Sequence, residues 1–260
     1  MLISRTWLQS YFEKELPDAE SIANTLMLHS FEIEGIDRIG NDDVIDIDVL
    51  PNRAHDCLSY AGIAREYSAL TGLKMLQDRY HYHSDISSEE ISIAVDIKNS
   101  EQCYRYMARP MNAITVTDSP QWLQDRMTSI GQRSINNIVD ATNYIMFDTG
   151  NPMHVFDADK ITGGITVRNV VLGEQFTTLS GEELELLESD LVIADDVGIL
   201  ALAGVKGGTR AEVDVNTKNI VLEVANFNPT TTRSTARRVK ILTDASKRFE
   251  NEISSEIAET

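Results

Sequence analysis

The chain has 260 residues, enough for one large domain or two medium ones, and its 42% hydrophobic and 25% charged content is typical of globular proteins. No apolar run is long enough to cross a bilayer and no secretory signal is recognisable, so we expect a cytoplasmic protein with no membrane partner. The two distant cysteines, Cys57 and Cys103, predict reduced thiols and no metal site.

The first part of the chain predicts helices around one hairpin. Asp18 is the expected N-cap of a helix whose apolar residues recur at positions 19, 22, 23 and 26. Strands are predicted near residues 31–36 and 45–49, with a turn at 40–43. A helix is expected from about Asp56 to Gly72. The polar run at 84–90 marks a boundary, so residues 1–85 are predicted to form a helix and hairpin domain.

The remainder, residues 86–260, predicts a second domain with mostly antiparallel strands. Strands are expected at 91–97, 113–116, 165–168, 175–179, 191–194, 199–203 and 219–224. Helices are expected at 119–131, with Ser119 as N-cap and Pro120 as its first residue, and at 134–147, at 229–238, and from Asp244 towards the C-terminus. These elements predict an α+β fold, and the last helix, which no compact closing element follows, predicts that the chain is truncated.

Two residues are candidates for chemistry. His154 follows Gly150 and Pro152, so it is expected in a sharp turn, where it either faces a cleft or satisfies turn backbone groups. Glu223 lies in an otherwise apolar strand and either faces solvent or points into an apolar pocket, where it needs a dedicated partner. The glycines of residues 204–208 serve turns or allow close approach to a ligand.

Basic residues are concentrated near the C-terminus of this chain, whose formal net charge is -18. A uniformly acidic surface repels nucleic acid, so any contact with phosphates requires such a concentration. The basic strip, defined here as residues 233–248, either contacts phosphates or is a solvated helix face, and it contains Arg233, Arg237, Arg238, Lys240, Lys247 and Arg248.

Four segments carry a family resemblance that covers nearly the whole chain. They are residues 48–59 (DVLPNRAHDCLS), 133–144 (RSINNIVDATNY), 150–157 (GNPMHVFD), and 235–238 (TARR) with 243–250 (TDASKRFE). In this order they resemble the beta subunit of bacterial phenylalanyl-tRNA synthetase. The resemblance implies an editing domain in the second half, which hydrolyses tyrosyl-tRNA(Phe) made in error, because one added hydroxyl is rejected only partly by an apolar synthetic pocket.

The resemblance also implies roles for individual residues. His154 and Thr243 are expected to act on the ester, with a bound water as nucleophile and His154 or a ribose hydroxyl orienting it. Glu223 is expected to bind the tyrosine hydroxyl. The other expected substrate contacts are Gly204, Gly207, Ala245 and Arg133, and the expected tRNA contacts are Arg237 and Arg238.

Partners and cofactors follow from the same resemblance. The complete enzyme is expected to be a heterotetramer with the alpha subunit that uses ATP and Mg²⁺ to charge tRNA(Phe), whereas this part of it needs no cofactor. Residues 38–44 leave no room for the oligonucleotide-binding-fold module that most bacterial members insert there, and Lys206 stands where an apolar residue is expected. A non-catalytic module that holds tRNA or supports subunit assembly is the alternative.

Overall fold

The computed structural model describes residues 1–76 and 92–259, which fall into two compact units. The first unit contains residues 1–76 and Asp118–Gly150, and the second contains residues 92–117 and Asn151–Glu259. The predicted boundary at residues 85 and 86 lies outside the described residues. Residues Asp118–Gly150, which the sequence placed in the second domain, instead pack in the first unit. The predicted α+β class is confirmed, because helices accompany mostly antiparallel sheets.

The first unit is built from helices around a small antiparallel sheet. Its helices are α1 (Arg5–Gln9), α2 (Ala19–His29), α3 (Pro51–Cys57), α4 (Tyr60–Thr71), α5 (Gln121–Ser129) and α6 (Asn137–Thr149). Its strands are β1 (Leu2–Ser4), β2 (Glu32–Ile39) and β3 (Asp42–Asp48), in the order β1-β3-β2. The predicted hairpin is therefore confirmed. So is the cap of α2, where the Asp18 side chain accepts a hydrogen bond from the Ser21 amide at 2.8 Å.

Local capping shifts several predicted helix boundaries. The single helix expected after Asp56 is wrong, because Ser59 caps a separate helix by accepting a hydrogen bond from the Gly62 amide at 3.0 Å. Gly72 ends α4 in the left-handed conformation, as predicted. Helix α5 begins one residue later than predicted, with Pro120 as its N-cap, since the Ser119 hydroxyl donates to Asp140. Likewise α6 begins at Asn137, behind the Asn136 cap.

A buried aromatic stack joins α1 to α6 and explains why Asp118–Gly150 belongs to the first unit. The Trp7 ring stacks on Tyr60 at 4.0 Å and on Tyr144 at 4.6 Å between ring centroids. Asp148, itself buried, accepts hydrogen bonds at Oδ1 from the Trp7 indole at 2.8 Å and from the Tyr11 hydroxyl at 2.7 Å. These donors are more than 130 positions away in sequence, so helical periodicity could not reveal the contact.

The second unit contains two sheets, one hairpin and two α-helices within residues 92–259. The five-stranded sheet has the order β12-β11-β10-β7-β4, and the three-stranded sheet has the order β5-β13-β6. The strands are β4 (Val95–Ile97), β5 (Cys103–Met111), β6 (Met153–Asp157), β7 (Ile165–Asn169), β8 (Phe176–Thr177), β9 (Glu183–Leu184), β10 (Leu191–Ala194), β11 (Ile199–Leu202), β12 (Lys206–Gly207) and β13 (Ile220–Phe227). Strands β8 and β9 form the hairpin, and the helices are α7 (Pro229–Val239) and α8 (Asp244–Phe249).

Alternating side chains of the five-stranded sheet enter two different apolar cores. Leu191 and Ile193 of β10 pack with residues of β13, including Val221 and Ala225. Val192, between them in sequence, packs on the other side with Ala236 of α7. Strand β10 is therefore buried on both faces, which explains why it is a continuous apolar run and not an alternating one. The three-stranded sheet and α7 lie on opposite faces of the five-stranded sheet.

Three further predictions about the second unit are wrong. Residues 113–116 form no strand, and the partner of β13 is instead Cys103–Met111, whose polar residues conceal its pairing. His154 lies on strand β6 and not in a turn. The final α-helix ends at Phe249, followed by a 3-10 helix at Ser255–Glu259, whereas the sequence predicted that it continued.

We expect Asp148→Ala to destabilise the first unit. The substitution leaves the buried Trp7 indole without its acceptor, at a cost of about 1–3 kcal/mol, and leaves the Tyr11 hydroxyl only its longer hydrogen bond, 3.3 Å, to the Asp148 backbone carbonyl. Urea unfolding followed by tryptophan fluorescence measures the change. Asp148→Asn is the control, because it keeps an oxygen at the accepting position and is expected to lose less stability. Equal midpoints for Asp148→Ala and the unaltered chain would contradict this account.

Candidate functional site

A cavity of about 90 Å³ in the second unit brings together most of the residues that the sequence selected. Strands β6 and β13 contribute His154 and Glu223, and the segment from β11 to β12 contributes Gly204, Lys206 and Gly207. Helix α8 contributes Ala245. The remaining lining is mainly apolar and consists of Pro152, Met153, Ile193, Ala201, Leu202, Val205, Phe227 and Phe249.

The two candidate residues are direct partners across the three-stranded sheet. His154 of β6 pairs with Glu223 of β13 in antiparallel register, so both side chains project from the same face. This explains how residues 69 positions apart reach one cavity. The sequence left open whether Glu223 faces solvent or an apolar pocket. In the structure it faces the pocket, since the side chain lines the cavity and is only 5% exposed.

Burial makes Glu223 a weak acid. Its pKa is raised to about 8 because the apolar surroundings disfavour the carboxylate, and the nearby Tyr106 hydroxyl offsets this only in part. The Tyr106 hydroxyl lies near Glu223, but among the described residues neither Glu223 Oε2 nor this hydroxyl has a partner that meets both the distance and the angle of a hydrogen bond. The cavity therefore contains a carboxyl group that is mostly protonated at neutral pH and has an oxygen available for a ligand.

His154 is a neutral imidazole at neutral pH. Its pKa is lowered to about 4, first by burial and then by the positive charge of Lys206. The ring packs edge-on against Phe156 at 4.6 Å between centroids. A neutral imidazole offers one acceptor nitrogen and one donor, which suits it to orienting a water molecule. Its low basicity argues against full proton transfer to the ring at neutral pH.

The glycines of the β11–β12 segment let the cavity wall approach its neighbours closely. Gly204 has a positive φ of 69°, and a Cβ there would lie 3.0 Å from Phe227 Cδ2 and 3.1 Å from Phe249 Cδ2. At Gly207 a Cβ would lie 2.6 Å from His154 Cε1, so a larger residue would push the imidazole aside. The glycines therefore fix the position of side chains that line the cavity.

Thr243 is not one of the residues that line the cavity. Its hydroxyl accepts a hydrogen bond from the Ser246 amide at 3.0 Å, as the N-cap of α8, and contacts the Val205 carbonyl at 3.3 Å. Both of these hydrogen bonds are within the protein. The catalytic role of Thr243 stays a prediction. Ala245, two residues later, does line the cavity.

The predicted arginine contacts differ in their environments. Arg133 belongs to the first unit, where it is exposed between α5 and α6. Arg237 and Arg238 are both exposed on α7, but Arg238 also forms an ion pair with buried Asp190 and donates to the Glu185 carbonyl at 2.9 Å. Arg248, part of the basic strip, is 1% exposed. The strip is therefore not one continuous solvent-facing surface.

Tyr106 is near the site but was not among the site residues predicted from the sequence. This residue lies on β5, opposite Ala225 of β13, and its buried hydroxyl is near Glu223. The sequence contained no clear signal for it, because β5 mixes apolar and polar residues without strict alternation and was not predicted as a strand.

The B3/4 domain family profile matches residues 102–260, so the chain belongs to this family. It is also similar to phenylalanine–tRNA ligase beta subunits, as predicted. The subunit from Rhodopirellula baltica is 40% identical over 254 residues, which is 97% of this chain and 37% of that protein. The subunit from Fusobacterium nucleatum is 43% identical over 210 residues, which is 81% of this chain and 26% of that protein. The chain thus spans well under half the length of these relatives.

A solved structure described as an N-terminal fragment of the phenylalanyl-tRNA synthetase beta subunit from Pyrococcus horikoshii is also similar. It matches with a TM-score of 0.47 and 15% identity, over 92% of this chain and 73% of that one.

Across residues 1–76 and 92–259 no helix combines the length and apolar character that crossing a membrane requires. In the same residues no group of three or more His, Cys, Asp or Glu side chains could hold a metal ion.

We expect Glu223→Gln to change how stability depends on pH. The Glu223 pKa rises from 4.5 to about 8 on folding, so the folded state binds the proton more tightly and loses stability as pH rises between these values. His154 acts in the opposite direction, since its pKa falls from 6.5 to about 4, and its effect is complete above pH 6.5. Between pH 6.5 and 8.5 the Gln variant should therefore gain stability relative to the unaltered chain.

Urea midpoints across that pH range measure the difference. Exposed Glu188→Gln is the matched control and should run parallel to the unaltered chain. A Glu223→Gln curve that is also parallel would mean that this carboxyl is not held protonated by burial.

Proposed function

We propose that the second unit hydrolyses the ester of tyrosyl-tRNA(Phe), as the editing site of a phenylalanine–tRNA ligase beta subunit. One observation supports this most directly: among the described residues the buried oxygen Glu223 Oε2 has no hydrogen bond, although it lies in a cavity lined mainly by apolar groups. A phenol fits this environment, because its ring suits apolar walls and its hydroxyl supplies the missing partner. Phenylalanine has no such hydroxyl and would leave the carboxyl group unpaired.

The proposed reaction is the addition of water to the ester carbonyl. Neutral His154 accepts a hydrogen bond from the water and orients it, and a ribose hydroxyl of the terminal nucleotide can assist. Gly207 fixes the position of the imidazole, and Gly204 and Ala245 leave room for the aromatic ring. An ester is a reactive substrate, so positioning is the main requirement.

The complete synthetase is proposed to work in the cytoplasm as a heterotetramer with the alpha subunit, using ATP and Mg²⁺ to charge tRNA(Phe). No step of the editing reaction is assigned to either cofactor. Deacylation of mischarged tRNA tests the proposed function directly. Release of tyrosine but not of phenylalanine supports editing, whereas tRNA binding without release of either supports the non-catalytic alternative.

We expect Glu223→Ala to reduce selectivity. Loss of the carboxyl removes the favourable contact with tyrosine and also the unpaired group that disfavours phenylalanine. The ratio of kcat/KM values for tyrosyl-tRNA and phenylalanyl-tRNA should fall about 10-fold or more, equivalent to roughly 1.4 kcal/mol or more. Glu223→Gln keeps the shape and an acceptor oxygen, and it resembles the protonated acid, so it should retain most of the preference. Equal loss of rate on both substrates would refute tyrosine recognition by Glu223.

We expect tRNA binding by α7 to depend on salt through its exposed basic face. Arg233 and Arg237 are exposed and lie one helical turn apart, at i and i+4, whereas Arg238 is held by Asp190. The double variant Arg233→Gln/Arg237→Gln should flatten the slope of log affinity against log salt by about 1–2. Filter binding at several salt concentrations measures it.

The control for this experiment is a double variant with the same change in charge, Arg109→Gln/Lys218→Gln, at exposed positions away from α7. An identical slope for both double variants would assign the basic face of α7 to ordinary solvation.

A further inference from the structure

Lys206 is a cation in the wall of the cavity. It is the first residue of β12, pairs with Leu202 of β11, and immediately precedes Gly207, whose backbone packs against the His154 ring. Its side chain is half-buried and lines the same cavity as His154 and Glu223. The proposed function assigns no role to this charge.

Lys206 differs from Lys160, Arg168 and Arg210, which are also half-buried basic residues of the second unit, in having no carboxylate partner among the described residues. These three residues pair with carboxylates: Lys160 with Asp214 at 2.7 Å, Arg168 with Glu174 at 2.6 Å, and Arg210 with Asp195 at 2.9 Å. Within the described residues Lys206 forms no ion pair and no side-chain hydrogen bond. In a chain of net charge -18, carboxylates are abundant, so an unpaired lysine in a partly desolvated cavity points to an anionic group supplied by the ligand.

The cavity is electrostatically asymmetric. Glu223 is almost completely buried and is mostly protonated at neutral pH, whereas His154 and Lys206 are half-buried. The titratable groups that face His154 are Lys206 from β12 and Glu223 from β13. Because His154 is neutral, the ammonium of Lys206 is the permanent positive charge among the residues that line the cavity.

We propose that Lys206 binds an anionic oxygen at the ester end of the ligand. This inference rests on the proposed editing function. When the water oxygen adds to the ester carbon, the carbonyl π electrons move to the carbonyl oxygen and create an oxyanion. Collapse of that oxyanion re-forms the carbonyl and breaks the bond to the ribose oxygen, which takes a proton that originated on the water. The oxyanion is one source of negative charge near Lys206, and a phosphate of the terminal nucleotide is the other.

The test compares Lys206→Met, Lys206→Arg and the control Lys218→Met, which removes an exposed lysine of the same unit. For deacylation of tyrosyl-tRNA, Lys206→Met should be slower by about 10-fold or more. This lies below the roughly 10²–10³-fold typical of a dedicated oxyanion donor, because Lys206 is only half-buried. Lys206→Arg should keep most of the activity and Lys218→Met nearly all of it. A lower kcat identifies the oxyanion as the bound group, because the contact then forms only in the transition state. A higher KM with unchanged kcat identifies the phosphate.

A second measurement does not require activity. Inorganic phosphate, titrated into the unaltered chain, should shift the Gly207 amide resonance in NMR spectra, and Lys206→Met should abolish the shift. In the same spectra Lys206→Met should raise the pKa of His154, because a neighbouring positive charge has been removed.

Two kinds of failure can be distinguished. If the unaltered chain releases no tyrosine, the proposed function fails, and the phosphate titration still decides whether Lys206 binds an anionic oxygen. If Lys206→Met equals Lys218→Met in both turnover and phosphate response, the inference about Lys206 is overturned, whatever the activity of the unaltered chain.

Discussion

Burial of the Glu223 carboxyl in the apolar layer between two sheets is the constraint that gives this site its character. Strand β13 is central in its sheet, between β5 and β6, so a side chain on its inner face cannot reach bulk water easily. An ionised carboxylate in such a place is costly, and the pKa of Glu223 rises to about 8 as a result. A protonated acid with an unused oxygen is tolerated, and it can distinguish a hydroxyl from a hydrogen atom on a bound ring.

The rest of the cavity depends on how closely backbone and aromatic groups approach it. A Cβ at Gly207 would collide with His154, and a Cβ at Gly204 would crowd Phe227 and Phe249. The aromatic residues in turn belong to the core that holds the two sheets together. Space for a ligand and stability of the fold are therefore coupled, because the same side chains provide both.

The basic residues of the second unit differ in whether a carboxylate of the protein neutralises their charge. Buried or half-buried carboxylates such as Asp190 and Asp195 hold arginines in place and anchor α7 and the segment after β12. Because those arginines are paired with carboxylates of the protein, their positive charge is less available to a ligand. Among the described residues Lys206, Arg233 and Arg237 form no ion pair with a carboxylate, so their charge is available to a ligand.

The sequence alone determined the class of fold, the hairpin of the first unit, most strands of the second unit and the family, because these depend on local periodicity, capping residues and contiguous motifs. Local pattern also selected His154 and Glu223, and the resemblance added roles for Gly204, Gly207 and Ala245. Only the tertiary structure shows contacts between residues that are distant in the sequence. The contact of Asp148 with Trp7 and Tyr11 places Asp118–Gly150 in the first unit, and the pairing of β5 with β13 brings Tyr106 to Glu223. Only packing decides whether a carboxyl is solvated or enclosed, or whether an arginine is free or paired, since both depend on residues distant in the chain.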